Sequence, residues 1–199
     1  MKEKRDDRRV RYTRRVIQDS FVRLLSQKPI AKITVKEICE EADVNRSTFY
    51  AHYQDPYDLM LKIKQDVLME IHSWMNGLIP LADGSSAYPT MKLVFEYILA
   101  NAELYKVLLG EHGDEKLTEE VMMIAQAQVI EEWKGGEDEE AGRLDYFVQF
   151  GVHAGVAVVR KWIEKGLREP PGEMAELVIR LIFNGLNSVV PKRHTGPLA

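Results

Sequence analysis

A single cysteine, Cys39, stands in a chain of 199 residues. It excludes an intrachain disulfide and fits a reducing compartment, where Cys39 reads as a small core residue of a short helix. No apolar run approaches the roughly eighteen residues a membrane helix needs, and no apolar leader opens the chain. The expectation is a soluble, cytoplasmic protein with no membrane partner. The signatures of common catalysts are missing as well. There is no glycine-rich phosphate loop, nucleophile elbow or zincin motif, and His52, His72, His112, His153 and His194 keep no metal-ligand spacing with acids or with Cys39. Glu111-His112-Gly113-Asp114-Glu115 reads as an acidic solvated loop. No enzymatic activity, metal or cofactor is expected. Alternating strand patterns bounded by hairpin turns are absent too, which points to an all-α fold.

What the chain does have is charge, unevenly placed. Overall 27 Lys and Arg face 31 Asp and Glu, and 45% of residues are hydrophobic, enough to bury a proper core. Residues 1–54 hold 13 basic against 8 acidic side chains, and the remainder 14 against 23. An acidic protein is a poor general nucleic-acid binder, but a basic N-terminal segment supplies the local field that DNA binding needs. The run from Lys2 to Arg15 reads in part as solvated charge and in part as an arm that could lie along DNA.

Residues 34–59 carry the most local information. Thr34 with Glu37 forms a capping box, flanked by Ile33 and Ile38 as a hydrophobic staple, so a helix should begin at Val35. Asn45 repeats the arrangement with Val44 and Phe49 around it, predicting a second helix from Arg46 to about Tyr53. Only Glu41 to Val44 remain for the turn, a length that suits a helix-turn-helix. Val44, Phe49 and Tyr53 can turn inward, leaving Arg46, Ser47, Tyr50 and His52 for a partner. Arg46 can reach guanine acceptors or phosphate, and Ser47, Thr48 and Tyr50 offer hydroxyl donors. Ahead of this pair a helix should run from about Arg8 or Thr13 to Gln27, with Val10, Thr13, Ile17, Phe21, Leu24 and Leu25 on one face. Three helices would then make the reading head.

Thr34, Ile38, Ala42, Val44, Thr48, Phe49, Tyr50, His52, Tyr53 and Leu59 together resemble the DNA-binding signature of the TetR family of bacterial transcriptional regulators, over about Tyr12 to Met60. The resemblance implies an N-terminal three-helix helix-turn-helix domain (residues 1–55) and a C-terminal helical ligand and dimerisation domain (56–199). It also implies a double-stranded DNA operator read by Thr34, Lys36, Asn45, Arg46, Ser47, Thr48, Tyr50 and His52. Two departures stand out. Asp43 replaces a frequent turn glycine, a change that Asp tolerates better than most residues. Pro56 replaces a basic residue that usually donates to phosphate, so one anchor is lost although Asp55-Pro56 remains a good helix start.

From Pro56 a helix should run to about Leu78, striped by Met60, Ile63, Val67, Ile71, Trp74 and Leu78, and link the two domains. Further helices are predicted over 89–109 with a bend near Asn101, 115–134, 137–166 and 173–190. Phe147, Phe150, Ala154, Val158 and Trp162 define one stripe and Leu177, Leu181, Ile182, Gly185 and Val189 another. Gly151 and Gly155 would admit a close backbone, and so much apolar surface suits a homodimer. Trp74, Phe95, Tyr105, Met122, Gln126, Tyr146, Gln149 and His153 mix aromatic, thioether and polar groups. They are candidates for a small-molecule effector site, although the same set describes a helical core. Asn101 to Gly110, with Gly151, Gly155, Trp162, Gly166, Pro171 and Met174, is similar to the TetR branch that includes activators of dihydroxyacetone kinase genes. That likeness implies a protein co-regulator in place of a small molecule. The two functional expectations are thus a ligand-responsive repressor on a pseudo-palindromic operator, and a transcriptional activator or co-activator working through a protein partner.

Overall fold

The computed structural model describes residues 2–78, 87–109, 115–132 and 138–184, and every regular element among them is helical. The helices are α1 (Lys2–Leu25), α2 (Val35–Glu41), α3 (Arg46–Tyr50), α4 (Pro56–Leu78), α5 (Tyr88–Ala100), α6 (Ala102–Leu109), α7 (Glu115–Glu132), α8 (Asp138–Glu164) and α9 (Pro171–Asn184), with one 3-10 turn at Ile30–Lys32. The chain folds as two compact units, Met1–Met69 with Asn101–Leu117, and Glu70–Ala100 with Thr118–Ala199.

In the first unit, Ile17, Phe21, Ile38, Phe49, Tyr53 and Leu59 are all but inaccessible, and Ile33, Cys39, Ala42 and Ile63 join them. The short helices α2 and α3 are too brief to stand alone, and this shared core holds them. Leu104 and Val107 of α6 pack against it as well, so this core draws on α6 in addition to the helices from α1 to α4. Helical spacing along 89–109 marks Leu104 as apolar but cannot say which core it faces. α1 begins earlier than Arg8 and stops at Leu25, where Ser26, Gln27 and Lys28 bond back to Val22 and Leu24 and Pro29 forbids continuation. α3 ends at Tyr50, short of Tyr53. The amides of His52 and Tyr53 both donate to the Phe49 carbonyl, which tightens the last turn before Asp55-Pro56.

In the second unit the packed pairs are α5 with α9 and α8 with α9. Phe95 meets Trp162 edge to face at 5.3 Å, and the indole N–H donates to the Glu169 carbonyl at 3.0 Å. Met174, Ala175 and Val178 of α9 are buried in the same unit, as are Ile98 of α5 and Val159 of α8. α8 ends in a Schellman turn. Gly166 (φ 82) donates to Ile163, Leu167 (φ 57) donates to Trp162, and Pro170 then accepts from Glu173 and Met174 to start α9. The bend at Asn101 falls where the sequence predicts it, and α9 starts two residues before Glu173. The stretch 185–190 lies outside the described residues. Phe150 and Trp162 do not share a stripe: twelve residues apart they differ by about 120° around the axis, so Trp162 is buried and Phe150 is exposed.

Candidate nucleic-acid interface

The helix-turn-helix is assembled from local hydrogen bonds. At the α2 start the Thr34 hydroxyl accepts from the Glu37 amide at 3.3 Å. The Thr34 amide and hydroxyl each donate to Glu37 Oε2 at 2.9 Å, completing the capping box. The Lys28 ammonium donates to the other Glu37 oxygen. Lys28, then the Thr34 amide and hydroxyl, hold the Glu37 carboxyl down to about 2. The turn from α2 to α3 is a second Schellman motif. Asp43 (φ 51) donates to Glu40 and Val44 donates to Cys39, with Asp43 in the left-handed position that glycine usually fills. Asn45 then caps α3, its Oδ1 accepting from the Thr48 amide at 2.7 Å.

That cap changes what α3 offers a partner. Asn45 Oδ1 also accepts the Ser47 hydroxyl at 2.6 Å and the Thr48 hydroxyl at 2.9 Å, so both protons are engaged and their oxygens present lone pairs outward. The Thr34 hydroxyl proton is likewise given to Glu37. Lys36 stands 3.7 Å from Glu40 in an exposed pair of little energetic weight. Arg46, exposed, makes no ion pair among the described residues. Tyr50 is 57% exposed, braced by its edge-to-face contact with Phe49 at 5.6 Å. His52 is half-buried against Tyr53. All eight residues belong to α2, α3 or the caps and link beside them, and Arg46 and Tyr50 stand exposed on α3. Cys39 is buried behind them, and burial pushes its thiol up, away from the reactive thiolate.

The support of this face includes residues that periodicity did not single out. Ser20 is fully buried and receives Arg23 at 2.8 Å, while the same guanidinium pairs with Glu41 at 2.8 Å, tying α1 to the end of α2. Gln18 donates to Asp66 at 3.2 Å, and the Arg14 guanidinium beside the Tyr53 hydroxyl has its own pKa raised. Asp58 and Lys62 join the end of α3 to α4. Their i,i+4 spacing was visible in sequence; their backbone partners were not.

The effector candidates are dispersed. Phe95 and Met122 are buried in the second unit, and Trp74 is half-buried there, 5.1 Å from Tyr97. Tyr105 is buried in the first unit. Tyr146, Gln149 and His153 lie exposed on α8, where the His153 ring bonds the Gln149 carbonyl at 2.8 Å. The Gln126 side chain lies outside the described residues.

Two capped short helices joined by a left-handed turn, with an exposed Arg and an exposed Tyr on the second, define a helix-turn-helix DNA-binding regulator. The chain belongs to the TetR family: the family described as bacterial regulatory proteins, tetR family, matches residues 17–63, and a transcriptional regulator C-terminal region matches residues 85–184. It is 38% identical over 71 residues to YxbF, an uncharacterised helix-turn-helix transcriptional regulator of Bacillus subtilis, a match that spans 35% of this chain and 19% of that protein. Another such regulator, from Haemophilus influenzae, is 25% identical over 144 residues, 71% of this chain and 67% of the other. Among solved structures, the fatty acid degradation regulator FadR of Bacillus halodurans superposes with a TM-score of 0.66 at 17% identity, covering 87% of this chain and 96% of that one. The dihydroxyacetone kinase operon activator DhaS gives 0.59 at 18%, covering 88% and 96%. FadR of Bacillus subtilis, solved with stearoyl-CoA, gives 0.59 at 14%, covering 86% and 98%. Identities this low establish the fold alone. No helix among the described residues is long and apolar enough to cross a membrane.

Proposed function

We propose that this TetR-family regulator binds a pseudo-palindromic operator as a homodimer through α3 and represses nearby transcription until an effector binds. The carrying observation is the α3 surface: Arg46 exposed with no ion pair among the described residues, and Tyr50 57% exposed, on a helix held by the Asn45 cap. In this reading residues 1–55 read DNA and residues 56–199 sense and dimerise. An effector lowers affinity by binding better to the conformation that does not fit the operator. The stearoyl-CoA bound by one structural relative makes long-chain acyl-CoA the first effector class to test, with the apolar Trp74, Phe95 and Met122 as the candidates to mutate.

Pro56 favours a second reading. In place of a basic phosphate donor it leaves the α4 start with Asp55, whose Oδ1 accepts from the Tyr57 and Asp58 amides at 2.8 Å. Together with the fold likeness to the activator DhaS, this supports an activator or co-activator that works through a protein partner.

Fluorescence anisotropy on the DNA upstream of the chain's own gene, across a salt series with unrelated DNA as competitor, separates the two. The repressor reading expects specific binding with a steep salt slope. Arg46→Ala with Tyr50→Phe should cost at least about tenfold in operator affinity while the protein stays folded. Specific binding that survives both changes would remove α3 from the reading role. No specific binding by a folded wild-type protein would favour the co-regulator.

A further inference from the structure

The short link that carries α3 into α4 is held by side chains from the first two turns of α4. Asp58 Oδ2 accepts from the Gln54 amide at 2.8 Å and from the Lys62 ammonium at 3.0 Å. Lys62 also donates to the His52 carbonyl at 2.9 Å and stands over the Tyr53 ring, 5.3 Å from its centroid. An Asp-Lys pair at i,i+4 forms on many helices and contributes little. Here both members also engage the backbone of the link beyond their own helix. The His52 carbonyl lies just past the C-terminal end of α3, where unsatisfied acceptors and the helix field favour a cation. The Gln54 amide is the matching donor. Both side chains are half-buried, and the Gln54 amide, then Lys62, hold the Asp58 carboxyl below its ordinary range.

Packing of Phe49, Tyr53, Leu59 and Ile63 holds α3 against α4, but ridge-and-groove fit leaves about 15–20° of scatter in such an angle. Charge-assisted hydrogen bonds narrow it further. We propose that Lys62 and Asp58 act as a clamp that sets the angle of α3 against α4. They position Arg46 and Tyr50 for DNA without touching DNA themselves. The inference rests on the reading of α3 as the recognition helix. α4 runs unbroken from Pro56 to Leu78, so a tilt or rotation of that helix is delivered to His52 through Lys62. Lys62 is therefore a positioning residue, and effector-driven motion of α4 would reach the operator through it.

The test compares wild type, Lys62→Met and Lys62→Arg, all as full chains. Met keeps an aliphatic stem over Tyr53 but loses the ammonium; Arg keeps a donor. Operator binding by Lys62→Met should weaken by about five- to twentyfold with an unchanged salt slope, and Lys62→Arg should recover most of the loss. Without DNA, amide hydrogen exchange in Lys62→Met should quicken over residues 51–55 and stay unchanged in the Ile17 to Ile38 core. A slope shallower by about 0.9 in Lys62→Met would mean that Lys62 meets a phosphate directly, and would overturn the clamp. Unchanged affinity and exchange, or exchange raised throughout the unit, would overturn it too. Wild-type protein that binds no DNA would sink the α3 reading itself, and the exchange pattern would then decide separately whether Lys62 orders the link.

Discussion

At the level of single residues, each polar group around the α3 face is either engaged or available, and that division sets its chemistry. Glu37 is the most heavily engaged, taking Lys28 and both polar groups of Thr34. Its folded pKa lies well below the ordinary value of 4.5, at about 2, so the ionised form favours the native state. The stabilisation is fully present above the unfolded value, about 4.3, and drains away as pH falls through the folded one. Glu37→Gln should therefore be less stable than wild type at neutral pH, with the gap closing between pH of about 4.5 and 2. Urea midpoints by circular dichroism across that range would show it, and a gap independent of pH would contradict the assignment. The Glu37 carboxylate is solvent-exposed, so the effect is one of direction more than size.

At the level of elements, two helix ends use the same Schellman turn with different residues in the left-handed position. After α8 it is Gly166, at φ 82, while after α2 it is Asp43, at φ 51. An L residue there costs energy that glycine does not, and Asp costs less than most. Asp43→Gly should stabilise the first unit by between about 0.5 and 1 kcal/mol and leave operator affinity unchanged, read from thermal melts and anisotropy. A loss of stability would show that the Asp43 carboxylate contributes more than its backbone strain. The same turn fixes the reach from α2 to α3, and the helix-turn-helix was legible from the Thr34–Glu37 capping box, the Asn45 cap and the short Glu41–Val44 turn between them. The α6 assignment was not legible in that way. Leu104 and Val107 follow a helical repeat like any other, and only packing puts them on the Ile17–Ile63 core.

At the level of the whole molecule, the relevant quantities are charge and exposed apolar surface. The excess of basic over acidic side chains in residues 1–54 lies in the segment that carries α3, and the acidic remainder disfavours DNA elsewhere. On α8, Tyr146 is 79% and Phe150 59% exposed, and a Cβ added at Gly151 or Gly155 would meet nothing within 4 Å. In the dimer proposed above, a second copy would cover these aromatics, full burial of a Phe being worth about 1.5–3 kcal/mol. A pseudo-palindromic operator asks for the same twofold, with recognition helices spaced by about 34 Å or a multiple. Phe150→Glu should convert a particle of twice the 22.9 kDa chain mass into a monomer by light scattering, and weaken operator binding with it. A monomeric wild type would refute the dimer reading outright.

The sequence by itself determined the all-α class, both short helices with their caps, the α4 span and the identity of Arg46 and Tyr50 as outward donors. Caps, staples and helical stripes are set within a turn or two of the residues that make them, so they can be read along the chain. The engaged hydroxyls of Thr34, Ser47 and Thr48 are local in the same way, two or three residues from their acceptors. Tertiary structure alone decided that Ser20 is buried and that Arg23 reaches Glu41. It also decided that Tyr146, Gln149 and His153 face outward on α8, and that Lys62 reaches the His52 carbonyl. Whether side chains of different elements meet depends on what the fold brings within about 3 Å, a distance that no spacing along the chain encodes.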